Sequence, residues 1–377
     1  MTETLHTLLH ERAERADLAP VDLDRVVRDG GRAVVRRRRS ITAGVVAAVV
    51  GTAGIGIGAL GGDRDRRPTE PPPEISSTAD GISWAEGSVI HDGASTLDVG
   101  HTIGRYVSTS VGYVFTDGHG QVWSAHDGTV ESVGTTVGRL VSDPDGTLAG
   151  WADTSGKRLV YAVLDQSTGM VATFQGQARP LAVAPGILLE GGMIGVDGRT
   201  AVWRDDDSYY RAELWTDGTP LPETIPPGNA VIGVGAGLLL EQEPQTGRIW
   251  VVRPGSRTSL GTPNGTPLVA PGGDWVAFGS DASGTPVDVY DTRSGDAVTL
   301  DIDAFRAVAT QWLDDETVVL MVAPAEDADY QLWRCAVPEG RCAVAVADLG
   351  SGPTTSRGNG LRFALPIGDV WFPYPHG

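Results

Sequence analysis

From about residue 90 onward one pattern recurs, at intervals that leave little choice of fold. A short apolar strand with an aromatic near its middle is followed by a glycine-containing turn and a second short strand. The clearest copies are QVWSAHDGTVESVG (Gln121 to Gly134), RIWVVRPGSRTSLG (Arg248 to Gly261) and VDVYDTRSGDAVTL (Val287 to Leu300). Further copies centre on Tyr161, Trp215 and Trp333, and a weaker one on Ile90. The centres Ile90, Trp123, Tyr161, Trp215, Trp250, Tyr290 and Trp333 are 33, 38, 54, 35, 40 and 43 residues apart. About forty residues is the length of four short strands and their turns, the unit of a β-propeller blade. One such unit cannot bury its apolar faces alone, so the copies must stack into a ring.

Seven centres give seven blades, and residues 81–377 are expected to form an all-β, seven-bladed propeller. The first copy lacks room for four strands, whereas Leu361 to Ile367 (LRFALPI) is an apolar strand without a blade of its own. An open ring would leave two sheet edges bare. The last strand is therefore expected to complete the first blade. The 54-residue interval holds an extra segment, Gly191 to Arg211, containing WRDDDSYYR. It reads as a loop or hairpin insertion on one blade.

The copy from Val269 to Asp291, VAPGGDWVAFGSDASGTPVDVYD, resembles the TolB-type repeat of WD-repeat-like propellers. That pattern is Pro-Asp-Gly, an apolar strand, Ser-Asp, Gly, then an aromatic strand. Pro271-Gly272-Gly273-Asp274 stands in place of the Pro-Asp-Gly turn, while Ser280-Asp281 and Tyr290 match it. Ser142-Asp143-Pro144-Asp145-Gly146 restores the turn in an earlier blade. The resemblance implies a fold and carries no common activity.

Ahead of this domain lies Ile41 to Gly61, ITAGVVAAVVGTAGIGIGALG, with no charge, behind Arg36-Arg37-Arg38-Arg39. At about 1.5 Å per helical residue it spans roughly 32 Å, enough for a bilayer core of about 30 Å. Residues 21–40 carry seven arginines and residues 62–81 carry three, which places the N-terminus in the cytoplasm. A cleaved signal is the competing reading, but forty residues precede the run and Ala59-Leu60-Gly61 is a poor cleavage site. Gly56-x-Gly58-x-x-Gly61 matches a dinucleotide fingerprint, yet GDRDRRPTEPPPE follows it and cannot form the helix that fingerprint requires. The expected order is a cytoplasmic tail (1–40), a transmembrane helix (41–61), a Pro-rich linker (62–80) and the extracytoplasmic propeller (81–377). The protein is thereby assigned to a bacterial cell membrane as a single-pass protein. Gly54, Gly58 and Gly62 repeat at the spacing that lets two spanning helices approach, and mark a surface for self-association. The layout is similar to that of bacterial membrane-bound anti-sigma regulators, although the tail lacks the cysteines of their zinc-binding kind and His6 and His10 have no third ligand.

Chemical candidates are few. The sequence has no G-x-S-x-G and no H-E-x-x-H. His91-Asp92-Gly93 and His126-Asp127-Gly128 align with the same turn of two blades, where Asp and Gly serve the turn. Asp205-Asp206-Asp207 carries carboxylates suited to a divalent cation, but three adjacent aspartates rarely converge on one ion, so a solvated turn is preferred. Leu221-Pro222-Glu223-Thr224 begins a sortase-like signal but lacks the Gly and the apolar tail that complete one. No catalytic, metal or cofactor-binding residue is assigned, and no cofactor is expected. Cys335 and Cys342, the only cysteines, are spaced to pair across a hairpin around Pro338-Glu339, and an exported compartment permits a disulfide.

Residues 1–62 hold nine arginines and seven carboxylates, so the remainder carries −21 of a chain whose net charge is −19. A domain that acidic is expected to bind neither nucleic acid nor anionic lipid. Together these features read as a non-enzymatic binding, scaffold or sensing module, with a protein or small ligand on the propeller and a cytoplasmic partner for the tail. The alternative is a propeller hydrolase or lyase with its site in the central channel.

Overall fold

The computed structural model describes residues 81–136, 138–176, 191–215, 222–225, 228–279, 287–326, 328–349 and 363–368. The tail, span and linker (1–80), with Gly54, Gly58 and Gly62, lie outside the described residues, as do Ser280 and Asp281. Among the described residues no helix is long and apolar enough to cross a membrane.

Seven four-stranded antiparallel sheets make up the fold. Blade 1 contributes β1 (Ser83–Glu86), β2 (Val89–Asp92) and β3 (Ser95–Asp98) from one end of the domain. Blade 2 holds β4 (Arg105–Ser108), β5 (Gly112–Thr116), β6 (Gln121–His126) and β7 (Thr129–Thr135), and blade 3 holds β8 (Leu140–Ser142), β9 (Leu148–Asp153), β10 (Val160–Asp165) and β11 (Met170–Gln175). Blade 4 consists of β12 (Gly191–Asp197), β13 (Thr200–Asp205), β14 (Ser208–Glu213) and β15 (Glu223–Ile225). Blade 5 follows with β16 (Ala230–Gly235), β17 (Leu238–Gln242), β18 (Ile249–Arg253) and β19 (Ser256–Gly261). In blade 6 come β20 (Thr266–Val269), β21 (Trp275–Gly279), β22 (Asp288–Asp291) and β23 (Ala297–Val298). Blade 7 has β24 (Arg306–Trp312), β25 (Thr317–Ala323), β26 (Gln331–Ala336) and β27 (Arg341–Val346), and β28 (Phe363–Ala364) returns to blade 1.

The first strands of successive blades lie against one another and form the inner ring. Middle strands are covered on both faces by neighbouring blades, so their side chains are apolar without alternation: LAGWAD in β9, VYAVLD in β10, TVVLMVA in β25. Outer strands such as β7 (TVESVGT) and β11 (MVATFQ) are largely exposed, and β11 presents Met170 and Val171 to water. The inner ring is tight. A Cβ at Gly195 on β12 would lie 2.9 Å from Cβ of Val234 on β16, closer than two side chains can approach. Glycine there lets two blades meet.

Six of the seven sequence centres fall on third strands: Ile90, Trp123, Tyr161, Trp250, Tyr290 and Trp333. In blades 2, 5 and 7 the third-to-fourth strand register shifts at the tryptophan itself, between Val122/Trp123, Ile249/Trp250 and Leu332/Trp333. A bulge there adds twist to the outer edge of each blade.

Two expectations are corrected in blade 4. Gly191 to Arg211 is no insertion; it builds β12, β13 and most of β14, the first three strands of the blade. Trp215 is not the third-strand aromatic but sits past β14 with φ 51°. Tyr210 on β14 takes that place, opposite Trp203 of β13 and stacked on it at 5.8 Å between ring centroids. The extra length of the 54-residue interval lies instead in the connection 176–190 between β11 and β12.

Ring closure follows the expected plan. β28 pairs antiparallel with β1 through Ala85↔Ala364 and Glu86↔Phe363, so the last strand supplies the innermost position of the first blade. Alternation along the strand sends Phe363 and Leu365 into the core shared with blade 7, beside Ile82, Met321 and Leu332. Ala364 points the other way, into the core with Ala85, Ile90 and Tyr106.

Candidate functional site

Turns joining first and second strands tie neighbouring blades together on one side of the ring. Ser110 N–H donates to Gly146 O at 2.7 Å between blades 2 and 3. Gly198 N–H donates to Asp143 Oδ2 at 2.9 Å between blades 3 and 4, and Gly237 N–H donates to Asp197 Oδ2 between blades 4 and 5. Gly272 N–H donates to Asp315 Oδ1 between blades 6 and 7. Burial pushes the Asp197 carboxyl up, the adjacent Asp143 adds to this, and the Gly237 and Ala236 amides oppose it. These carboxylates thus serve as acceptors for turn amides.

The three consecutive aspartates do not converge. Asp205 ends β13 buried, and the Tyr161 hydroxyl of blade 3 reaches its Oδ1 at 3.1 Å and donates to Arg204 O at 2.8 Å. Asp206 takes the turn with φ 51°, and Asp207 pairs with Arg204 at 3.7 Å on the surface. Burial raises the Tyr161 phenol and Asp205 raises it further, so it stays a protonated donor. Around it Phe174, Trp203 and Tyr210 stack in series, which makes this a joint between blades 3 and 4. Among the described residues no group of three His, Cys, Asp or Glu is placed to hold a metal ion.

The two His-Asp-Gly stretches occupy third-to-fourth strand turns of blades 1 and 2. His91 stacks on Trp84 at 4.6 Å, and Asp92 accepts the Tyr113 hydroxyl at 2.8 Å across the blade joint. His126 lies 3.4 Å from its neighbour Asp127, whose φ of 48° shapes the turn. Glu223 and Thr224 lie in the outer strand β15, where Thr224 pairs with Tyr210, while Leu221 lies outside the described residues. Cys335 and Cys342 stand opposite one another on β26 and β27, bonded, with Cα atoms 4.1 Å apart. Cys335 is fully buried.

Sequence reasoning did not find a second histidine–tryptophan stack, on the other side of blade 2. His101, in the connection before β4, lies 3.9 Å from the Trp123 ring, and the Trp123 indole N–H donates to Asp117 Oδ2 at 3.3 Å. Burial raises the Asp117 carboxyl, but the amides of His119 and Gln121 and that indole outweigh it, and the net shift is downward. The signal was long-range: nothing near His101 in the sequence announces Trp123.

No family model matches the chain, and no curated protein is similar to it. Solved structures are similar to it, and one reaches a TM-score of 0.50. Puromycin hydrolase is 17% identical over 74% of this chain and 54% of its own, with a TM-score of 0.50. This chain therefore spans about half of that protein. Kluyveromyces lactis Hsv2 is 13% identical over 61% of this chain and 73% of its own, with a TM-score of 0.40. At these identities the likeness is one of fold alone. It nevertheless corrects the expectation that the chain is not an enzyme. A protein that bears a hydrolase's name is similar to it in fold, so the fold gives no ground for excluding catalysis.

Proposed function

We propose that the chain is a membrane-anchored, extracytoplasmic TolB-type propeller that binds a protein or small ligand and relays occupancy through its cytoplasmic tail. The observation that carries this reading is the uncharged run from Ile41 to Gly61 behind four consecutive arginines, joined by a Pro-rich linker to the seven-bladed ring. The acidic domain suits an exported, soluble module. Protease added to intact cells should remove everything beyond about Thr69 and leave the tail protected. A reporter fused at residue 40 that behaves as exported would overturn the topology.

A second reading is a hydrolase with its site in the central channel, and the likeness to puromycin hydrolase favours it. Incubating the full-length protein with puromycin and with a panel of chromogenic esters and amides tests this directly. Turnover that survives purification to homogeneity supports the hydrolase, and none across the panel removes it.

A further inference from the structure

We propose that Asn264-Gly265 is a site of spontaneous covalent modification, where the connection between blades 5 and 6 deamidates to a mixture of aspartate and isoaspartate.

Asparagine is among the chemically labile side chains, and a following glycine makes it more so. The Gly265 backbone nitrogen attacks the side-chain carbonyl carbon of Asn264 and forms a bond to Cγ. The Cγ–Nδ2 bond breaks, and that nitrogen leaves as ammonia. The result is a five-membered imide closed through Cα and Cβ of Asn264. Solvent water then opens the ring at one of its two carbonyls. Opening at Cγ returns the ordinary backbone with a carboxylate side chain. Opening at the main-chain carbonyl routes the backbone through Cβ and Cγ, which is isoaspartate. Nothing is oxidised or reduced, and water is the only co-reactant.

The surroundings decide which asparagine reacts. The chain has three, Asn229, Asn264 and Asn359, the last outside the described residues. Asn229 is half-buried, and its amide donates to Glu241 Oε2 at 3.0 Å. Its neighbour Ala230 is fixed in β16 and carries a methyl group that crowds the attack. Asn264 differs on each count. It is exposed together with Gly265 and Thr266, so water reaches the imide. Among the described residues its side chain makes no hydrogen bond that would hold the amide away. Gly265 has no Cβ to obstruct the approach of its nitrogen, and it already stands at φ 103°, in the region that favours glycine. Buried Pro263 anchors the connection on one side, and β20 begins at Thr266 on the other.

Either product adds a negative charge to a domain that already carries −21. Isoaspartate also lengthens the main chain by a methylene just ahead of the innermost strand of blade 6.

Purified full-length protein, held at neutral pH and sampled over weeks, tests the site by peptide mapping. Trypsin places the three asparagines on separate peptides, 212–248, 258–293 and 358–362. The 258–293 peptide should shift from the asparagine to the aspartate mass and split into two chromatographic forms, while 212–248 keeps its mass. Isoaspartate methyltransferase with radiolabelled S-adenosylmethionine should label 258–293. Asn264→Gln, whose longer side chain would have to close a six-membered ring, should lose both the label and the mass shift in that peptide. The comparison of the two parent peptides is internal to one protein and does not depend on the variant. Equal persistence of 258–293 and 212–248, or a label that survives Asn264→Gln, would overturn the proposal. So would a glycan on Asn264 in protein taken from its own host. Asn264-Gly265-Thr266 also reads as an acceptor for one, and a glycosylated nitrogen no longer leaves as ammonia.

Discussion

Phe363→Ala isolates how much of the fold hangs on the returning strand. The Phe363 side chain is 4% exposed, lies in the core that blade 1 shares with blade 7 and meets the Tyr330 ring edge-on at 6.0 Å between centroids. Truncating a buried phenylalanine costs about 3–5 kcal/mol through lost transfer energy and the cavity left behind. For a domain of this size about 1 kcal/mol moves the melting temperature by about 2 °C, so the expected fall is about 6–10 °C. Chain entropy adds weight to this number. Closing a loop of roughly 280 residues costs about 4 kcal/mol more than closing a four-residue turn, and burial of Phe363 and Leu365 must exceed it. Removing residues 363–377 gives up that burial but also relieves the closure cost, so a net loss of several kcal/mol is expected, against a typical stability of about 5–15 kcal/mol. Melting of the full chain, Phe363→Ala and the truncated chain, followed by tryptophan fluorescence, gives the comparison. Val344→Thr on the outer strand of blade 7, 39% exposed, is the control and should stay within about 0.5 kcal/mol of the parent. If Phe363→Ala melts like Val344→Thr, the last strand does not close the ring.

Alkylation and mass spectrometry of the native protein should find no free thiol, and reduction should cost about 2–3 kcal/mol because the bond closes so short a loop; two free thiols would contradict both the bond and the exported compartment. Asp197→Asn keeps an acceptor for the Gly237 amide and removes a charge beside Asp143. The folded-state carboxyl is raised, so its relative contribution is full below the unfolded value of about 4 and declines as pH rises through the folded value. The asparagine variant should therefore melt about 1–2 °C higher than the parent at pH 7, with the gap closing near pH 3.5; a variant that is less stable at pH 7 would show that the charge helps the fold. Gly58→Ile should abolish self-association in a membrane two-hybrid reporter, and unchanged signal would remove the helix-pairing proposal.

Blade number and closure were legible because they depend on local periodicity. Third strands carry an aromatic at a steady interval, and LRFALPI had no other place to go. Blade 4 was misread because its third strand, SYYRAE, is polar, with its aromatics at Tyr209 and Tyr210, while Trp215 nearby carried a stronger apolar signal. The joints were not legible at all. Asp143 meets Gly198 at a separation of 55 residues and Asp197 meets Gly237 at 40, and each aspartate looks in sequence like any other turn residue. Gln311 and Ser83 are 228 apart. The His-Asp-Gly stretches lead from strand ends into turns as expected, but the aspartate run is not wholly a solvated turn: Asp206 takes the turn, whereas Asp205 is buried at the end of β13 against the Tyr161 hydroxyl. Sequence reasoning offered no positive site because the contacts that would mark one are between blades.

The tied turns also bear on where this domain can grow. Each first-to-second strand turn of blades 3 and 4 is held by its neighbours on both sides, so lengthening one would break two contacts at once. Connections 176–190, 280–287 and 347–362 all start and end at the opposite side of the ring. Length variation among descendants of this chain, and peptides grafted by an engineer, should accumulate on that side, leaving the tied side nearly invariant in length.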